Sequence, residues 1–172
     1  DLLQFIEEDP GSLAIALKSI AKSLINFNRI LIEETGVEGF YYCVNNQNNF
    51  FEDSFFTTYV APYEKEVLEK ANELSDINIL HICGYDGLSN DLKLFKDFEA
   101  AAYNWDVDAE GVSLTKGKKL FGGKTVIGGF EQDQVIYTGT REEVEKATFD
   151  ILDECGQVGT IIGAGCTLPT DI

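Results

Sequence analysis

The sequence predicts an α/β fold, a parallel sheet covered by helices. Three observations carry this. Short apolar segments alternate with helix-patterned segments along the 172 residues. The short segments are apolar at successive positions, as strands buried on both faces are. Polar and reactive residues, namely Asn45, Asn46, His81, Cys83, Asp106 and Cys166, fall just after those segments.

Each element has its own signal. Leu13, Ala16, Leu17, Ile20, Leu24, Phe27 and Leu31 recur at helical spacing. Asp9-Pro10-Gly11-Ser12 precedes them, with Ser12 the expected N-cap, and Thr35-Gly36 closes the helix. Residues 39–44 (GFYYCV) form a short aromatic-rich run and read as a buried strand. A polar loop follows over residues 45–49. Residues 57–74 read as a helix interrupted near Pro62, and residues 77–83 (INILHIC) as the second strand. A loop over 84–89 and a short helix over 90–98 lead to a third strand at 101–106 (AAYNWD). A helix over 112–120 and a fourth strand at 124–130 (KTVIGGF) come next. Thr140 followed three residues later by Glu143 has capping-box spacing and opens a helix to Glu154. Residues 159–165 (GTIIGAG) read as the fifth strand.

In a (β/α)8 barrel the C-terminal strand ends share one face and the active site lies there. Residues after the second and fifth strands would then meet. Five strands do not close an eight-stranded barrel, so the expectation is the C-terminal portion, about five βα units, of such a barrel. The first three units are then missing or are supplied by another copy, and homo-oligomer formation through open edges is expected. The chain begins at Asp1 rather than at a methionine, which fits an N-terminus lying upstream.

Composition narrows the function classes. Hydrophobic residues are 44% and aromatic residues 12%, which argues for a folded core in a single domain spanning 1–172. The net charge of −17 argues against nucleic acid or an anionic membrane as partner, since both select a basic surface. Four cysteines are too few for a disulfide scaffold and point to reduced thiols in the cytoplasm. No apolar run reaches the length of a membrane span and no signal peptide is visible.

The only histidine, His81, lies two residues before Cys83, and Cys166 follows the fifth strand. One imidazole and two thiolates make a three-ligand zinc set that leaves a fourth position open, as catalytic zinc requires. Cys43, inside a strand, and Cys155, near a helix end, read as structural. Gly122-Gly123 and Gly128-Gly129 lack the spacing of a phosphate-binding loop and read as a turn and a crowded strand end. The acidic helix opening at Thr140 reads as a solvated face and Trp105 as core.

The blocks HICG from Ile82 backwards to His81 and onwards to Gly84, NWD at 104–106, GKTVIGGF at 123–130, YTGTREEV at 137–144 and GAGCTLPTDI at 163–172 together resemble the C-terminal half of the uroporphyrinogen decarboxylase superfamily, a (β/α)8-barrel family. Ala61-Pro62-Tyr63 fits the same series. One branch of that superfamily decarboxylates uroporphyrinogen without metal, as a step of porphyrin and heme biosynthesis. The other uses zinc to move a methyl group from a methylated corrinoid to a thiol such as coenzyme M. His81, Cys83 and Cys166 match the His-x-Cys and the late Cys of the methyltransferase branch. Cys166 stands where the decarboxylases have histidine, and Asn46 where they have serine.

The resemblance therefore implies zinc-dependent methyl transfer to a small thiol, with methylcobalamin or another corrinoid on a partner protein as donor. It implies His81, Cys83 and Cys166 as metal ligands. Asp106 becomes a candidate catalytic residue, since Asp106 or Asn104 would orient His81 or the incoming thiol. Asn45 and Asn46 become candidates for substrate or corrinoid contacts. Uroporphyrinogen decarboxylation and a non-catalytic binding role are the alternatives.

Overall fold

The computed structural model describes residues 6, 8–47, 52–84, 88–131 and 134–169. Parts of two expected loops, at 48–49 and 85–87, and the last residues of the GAGCTLPTDI block, 170–172, lie outside the described residues.

Five parallel strands form one sheet in sequence order. They are β1 (Tyr41–Val44), β2 (Ile79–Ile82), β3 (Ala102–Trp105), β4 (Thr125–Phe130) and β5 (Thr160–Ala164). The main helices are α1 (Pro10–Thr35) before β1, α2 (Ala61–Asn72) before β2, α3 (Val107–Glu110) and α4 (Leu114–Leu120) before β4, and α5 (Val135–Thr138) and α6 (Arg141–Cys155) before β5. This is the expected parallel α/β architecture, and it is consistent with part of a (β/α)8 barrel. No helix among the described residues is long and apolar enough to cross a membrane.

Local chemistry accounts for the helix ends. α1 is capped by Asp9 and not by Ser12. Pro10 takes the first helical position, where its missing N–H costs nothing, and Asp9 accepts from the Ser12 amide at 3.0 Å and its hydroxyl at 2.6 Å. Gly36 then ends the helix at φ 79°. The capping box of α6 is present as expected, with Thr140 N donating to Glu143 at 2.7 Å and Glu143 N to the Thr140 hydroxyl at 3.3 Å. The helix expected over 57–74 is interrupted near Pro62 as expected: the regular α-helix begins only at Ala61, with Pro62 in its first turn. Its approach widens to a π turn at Phe56–Val60, just ahead of the residue that has no amide hydrogen. The helix expected over 90–98 is only a 3₁₀ turn at Leu92–Phe95. α3 and α5 were not legible in the sequence, because four residues are too few to show a period.

The two faces of the sheet differ. Val44, Leu80, Ile82, Tyr103, Trp105 and Val126 point one way and are buried under the helices. The Tyr103 ring stacks on Phe121 at 4.0 Å between centroids, and the Trp105 indole N–H is satisfied by the Val112 carbonyl at 2.8 Å. The opposite face carries the register row Cys43, His81, Asn104, Ile127 and Ile161.

The sheet is strongly curled toward this second face. Flat-sheet spacing of roughly 4.8 Å per strand would put β2 and β5 about 14 Å apart. Cys166, just past β5, instead lies 3.9 Å from Cys83, just past β2. Glycines make this possible. A β-carbon on Gly165 would lie 2.7 Å from the Asp106 α-carbon, and one on Gly129 would lie 2.8 Å from Ile151 of α6.

β1 and β5 are the edges of the sheet. Of the apolar stripe expected to bury α1, Leu13 is buried and Leu17 and Leu31 are half-buried, but Ala16, Ile20, Leu24 and Phe27 are exposed. The helix packs on α2, and no strand of the described residues lies beyond β1 to cover its remaining apolar face.

Glu64 of α2 lines an apolar cavity of about 400 Å³ with Leu17, Ile20, Tyr42 and Val67. Its Oε2 is buried without a hydrogen-bond partner, and burial pushes the carboxyl from 4.5 up to about 7. The folded chain thus holds this proton more tightly than the unfolded chain does. The associated stability is present below pH 4.5 and is lost as pH rises through 7. Urea titrations should show a decline on the order of 1–3 kcal/mol across that window, and Glu64→Gln should flatten it. An unchanged pH profile in the variant would assign the decline elsewhere.

Candidate metal centre

The site is built on the curled face, at the C-terminal ends of the strands. His81 is third in β2 and 4% exposed. Its ring stacks on Tyr41 of β1, with centroids 5.2 Å apart and planes 21° apart. Its Nδ1 meets the Asn104 side-chain oxygen at 2.5 Å.

The network fixes the imidazole tautomer. The Asn104 side-chain nitrogen donates to the Ile127 carbonyl at 2.9 Å and to the Ala164 carbonyl at 3.1 Å. The other end of that amide is therefore its oxygen, an acceptor only. It accepts from the Tyr41 hydroxyl and must accept from His81, so Nδ1 carries the proton. Nε2 keeps its lone pair, as a metal-binding histidine requires. Burial also holds the His81 pKa below its ordinary value, favouring the neutral ring.

Nε2 faces Cys166 Sγ at 3.6 Å, and Cys166 Sγ lies 3.9 Å from Cys83 Sγ. Tetrahedral zinc with ordinary bond lengths separates two sulfurs by roughly 3.8 Å and a sulfur from a nitrogen by roughly 3.5 Å. The separations of Cys166 from His81 and from Cys83 match those values. Burial and the neighbouring Cys166 and Cys43 thiols push the Cys83 thiol up to about 12. Burial and the same sulfurs raise the Tyr41 hydroxyl to about 12. A divalent cation would reverse this crowding, because it stabilises thiolates as ligands.

The other expected site residues take different positions. Asp106 is buried and caps α3, where its Oδ1 accepts from the Asp108 amide at 3.0 Å and the Ala109 amide at 2.9 Å. The backbone of Gly165 passes directly against it. The residue that orients His81 through Nδ1 is Asn104. Asn46 is buried, with its amide bonded at both ends to the Asp91 backbone, at 3.2 Å and 3.0 Å. In this structure it ties the loop after β1 to the segment before the 3₁₀ turn. Asn45 is exposed beside it.

Two residues of the site were missed. Tyr41 stacks on His81, and Cys43, expected to be structural, is exposed and directly opposite His81 in the register. Cys43, His81 and Cys83 offer ligand atoms that all lie within 4.8 Å of one another. Tyr41-x-Cys43 does repeat the two-residue spacing of His81-x-Cys83, but only the register of the strands sets the two pairs side by side.

Fold and cluster together define the class: a parallel α/β protein carrying a cysteine and histidine cluster that could hold a metal ion at the ends of its strands. The chain is similar to Methylcobamide:CoM methyltransferase MtbA of Methanosarcina mazei, at 29% identity over 112 residues, which are 65% of this chain and 31% of that protein. It is also similar to the protein of that name from Methanosarcina acetivorans, at 26% identity over 113 residues, 65% of this chain and 31% of the relative. The matched part thus spans less than a third of these relatives. No family model matches the chain.

Asn104 is fully buried and serves four partners. Asn104→Leu keeps a similar volume but leaves the buried His81 Nδ1 and partly buried groups on β1, β4 and β5 without their partner. Such groups cost about 1–3 kcal/mol each when left unpaired. The variant should lose at least about 3 kcal/mol in urea unfolding. A loss below about 1 kcal/mol would mean the network is not a structural tie.

Proposed function

We propose that the chain belongs to a zinc-dependent methyltransferase of the uroporphyrinogen decarboxylase superfamily. In this reading it moves a methyl group from a methylated corrinoid, carried by a partner protein, to a small thiol of the coenzyme M kind. The observation that carries it is the convergence of His81 Nε2, Cys83 Sγ and Cys166 Sγ from two distant strand ends at 3.6 Å and 3.9 Å. The similarity to methylcobamide:CoM methyltransferases supports it.

His81, Cys83 and Cys166 would hold the zinc. Bound zinc lowers the pKa of a coordinated thiol, keeping sulfur nucleophilic near neutral pH. The remaining work falls to the chain's own groups. Asn104 and Tyr41 hold the imidazole in one tautomer and one orientation, so that little is lost in ordering it on binding. Cys83 and Cys166 give soft sulfur donors, which select zinc over harder cations. The Asp106 carboxylate sits beside the Gly165 turn. We assign it to positioning the Cys166 turn and the incoming thiol. Asn45 is the exposed polar group on the rim and is the better placed of the two asparagines for contact with the donor, because both ends of the Asn46 amide are already bonded.

Elemental analysis of the reduced protein should find about one zinc per chain, and Cys166→Ala should lose it. Gly165→Ala should weaken zinc binding at least about tenfold without removing a ligand, because its new methyl group would push the Cys166 turn off Asp106. Uroporphyrinogen should not be turned over. A folded, reduced protein that takes up no zinc, or that decarboxylates uroporphyrinogen without metal, would replace this reading with the decarboxylase one.

A further inference from the structure

Cys43 brings a third thiol to the cluster around His81 and Cys83. It is paired with His81 across β1 and β2 on the curled face, and its sulfur lies within 4.8 Å of a His81 ring nitrogen and of Cys83 Sγ. Cys166 approaches the same two residues at 3.6 Å and 3.9 Å. His81 and Cys83 therefore belong to two overlapping triplets. Their union is one imidazole and three thiols, a complete donor set for four-coordinate zinc.

The four donors are not equally fixed. His81 is locked by Asn104 and Tyr41. Cys166 follows the Gly165 turn, which is wedged against Asp106. Cys43 is exposed, and it lies on an edge strand of the sheet.

We propose that Cys43 is an exchangeable fourth ligand to the ion held by His81, Cys83 and Cys166, closing the coordination shell in the absence of substrate and yielding its place to the incoming thiol. The proposal rests on the zinc reading above. The exchange balances: the arriving thiol gives up its proton as it takes the position, and the Cys43 thiolate accepts a proton as it leaves. One sulfur replaces another and the net charge is unchanged. Such a shell excludes water from the metal and admits a ligand that can compete with a thiolate, which favours thiols over alcohols as acceptors.

Two measurements on the whole chain test this. X-ray absorption of the zinc-loaded protein counts its sulfur ligands, in wild type and in Cys43→Ala. Peptide mapping after treatment with iodoacetamide in excess over all thiols gives the alkylation rate of Cys43 in the wild type, taken relative to Cys155 in the same sample so that reagent consumed by free thiol cancels, with and without zinc and with 2-mercaptoethanol added. The expected results are three sulfurs and one nitrogen in wild type, and two sulfurs and one nitrogen in Cys43→Ala. Zinc should slow Cys43 alkylation at least about tenfold. Saturating 2-mercaptoethanol should restore the rate while the sulfur count stays at three.

Two sulfurs in both proteins, or alkylation at one rate with and without zinc, would overturn the proposal and leave the three-ligand reading standing. Protection that persists with 2-mercaptoethanol would overturn the exchange. A wild-type protein that binds no zinc would overturn both readings together.

Discussion

The side chain of Asn104 joins the whole sheet. It sits fully buried on β3, the central strand, and reaches all four others. Its oxygen accepts from Tyr41 on β1 and His81 on β2, and its nitrogen donates to carbonyls on β4 and β5. An amide can do this because it presents an acceptor at one end and two donors at the other. No apolar residue of the same size could make these bonds, and a carboxylate would face two carbonyl oxygens with no proton to offer.

The bond from Asn104 to the Ala164 carbonyl spans two strand positions, so it exists only because the sheet curls. Curling has a steric condition, met by Gly165 against Asp106. It has a chemical consequence, the arrival of Cys166 beside His81 and Cys83. One network thus sets both the curvature that brings Cys166 to His81 and Cys83 and the tautomer that keeps the proton off His81 Nε2. Preorganisation of this kind comes from groups that never touch the reacting atoms.

The same curvature leaves two edges. At the β1 edge, α1 keeps Ile20, Leu24 and Phe27 exposed, an apolar surface of the kind a further layer of structure would cover. Relatives about three times longer than the matched segment have ample chain for such a layer. Cys43 lies on this edge, which is why its exposure and its nearness to His81 and Cys83 occur together.

The sequence by itself determined the fold class and most of the elements. Runs apolar at successive positions specify the strands, although only β2 and β3 are buried on both faces while the edge strands β1 and β5 are not, and the Thr140 to Glu143 spacing specifies where α6 begins. It also singled out His81, Cys83 and Cys166 as candidates, because the chain has one histidine and four cysteines and these three fall at strand ends. Tertiary structure decided the rest. Ser12 lost the cap of α1 to Asp9 once Pro10 had taken the first turn. Asn46 spent its amide on a neighbouring loop. Asn104, one of two candidates for orienting His81, was settled by register, which sets it opposite that histidine. Cys43 looked like an ordinary strand residue for the same reason: register and curl are properties of strands taken together, and no single segment of sequence encodes which residues its neighbours will place beside it.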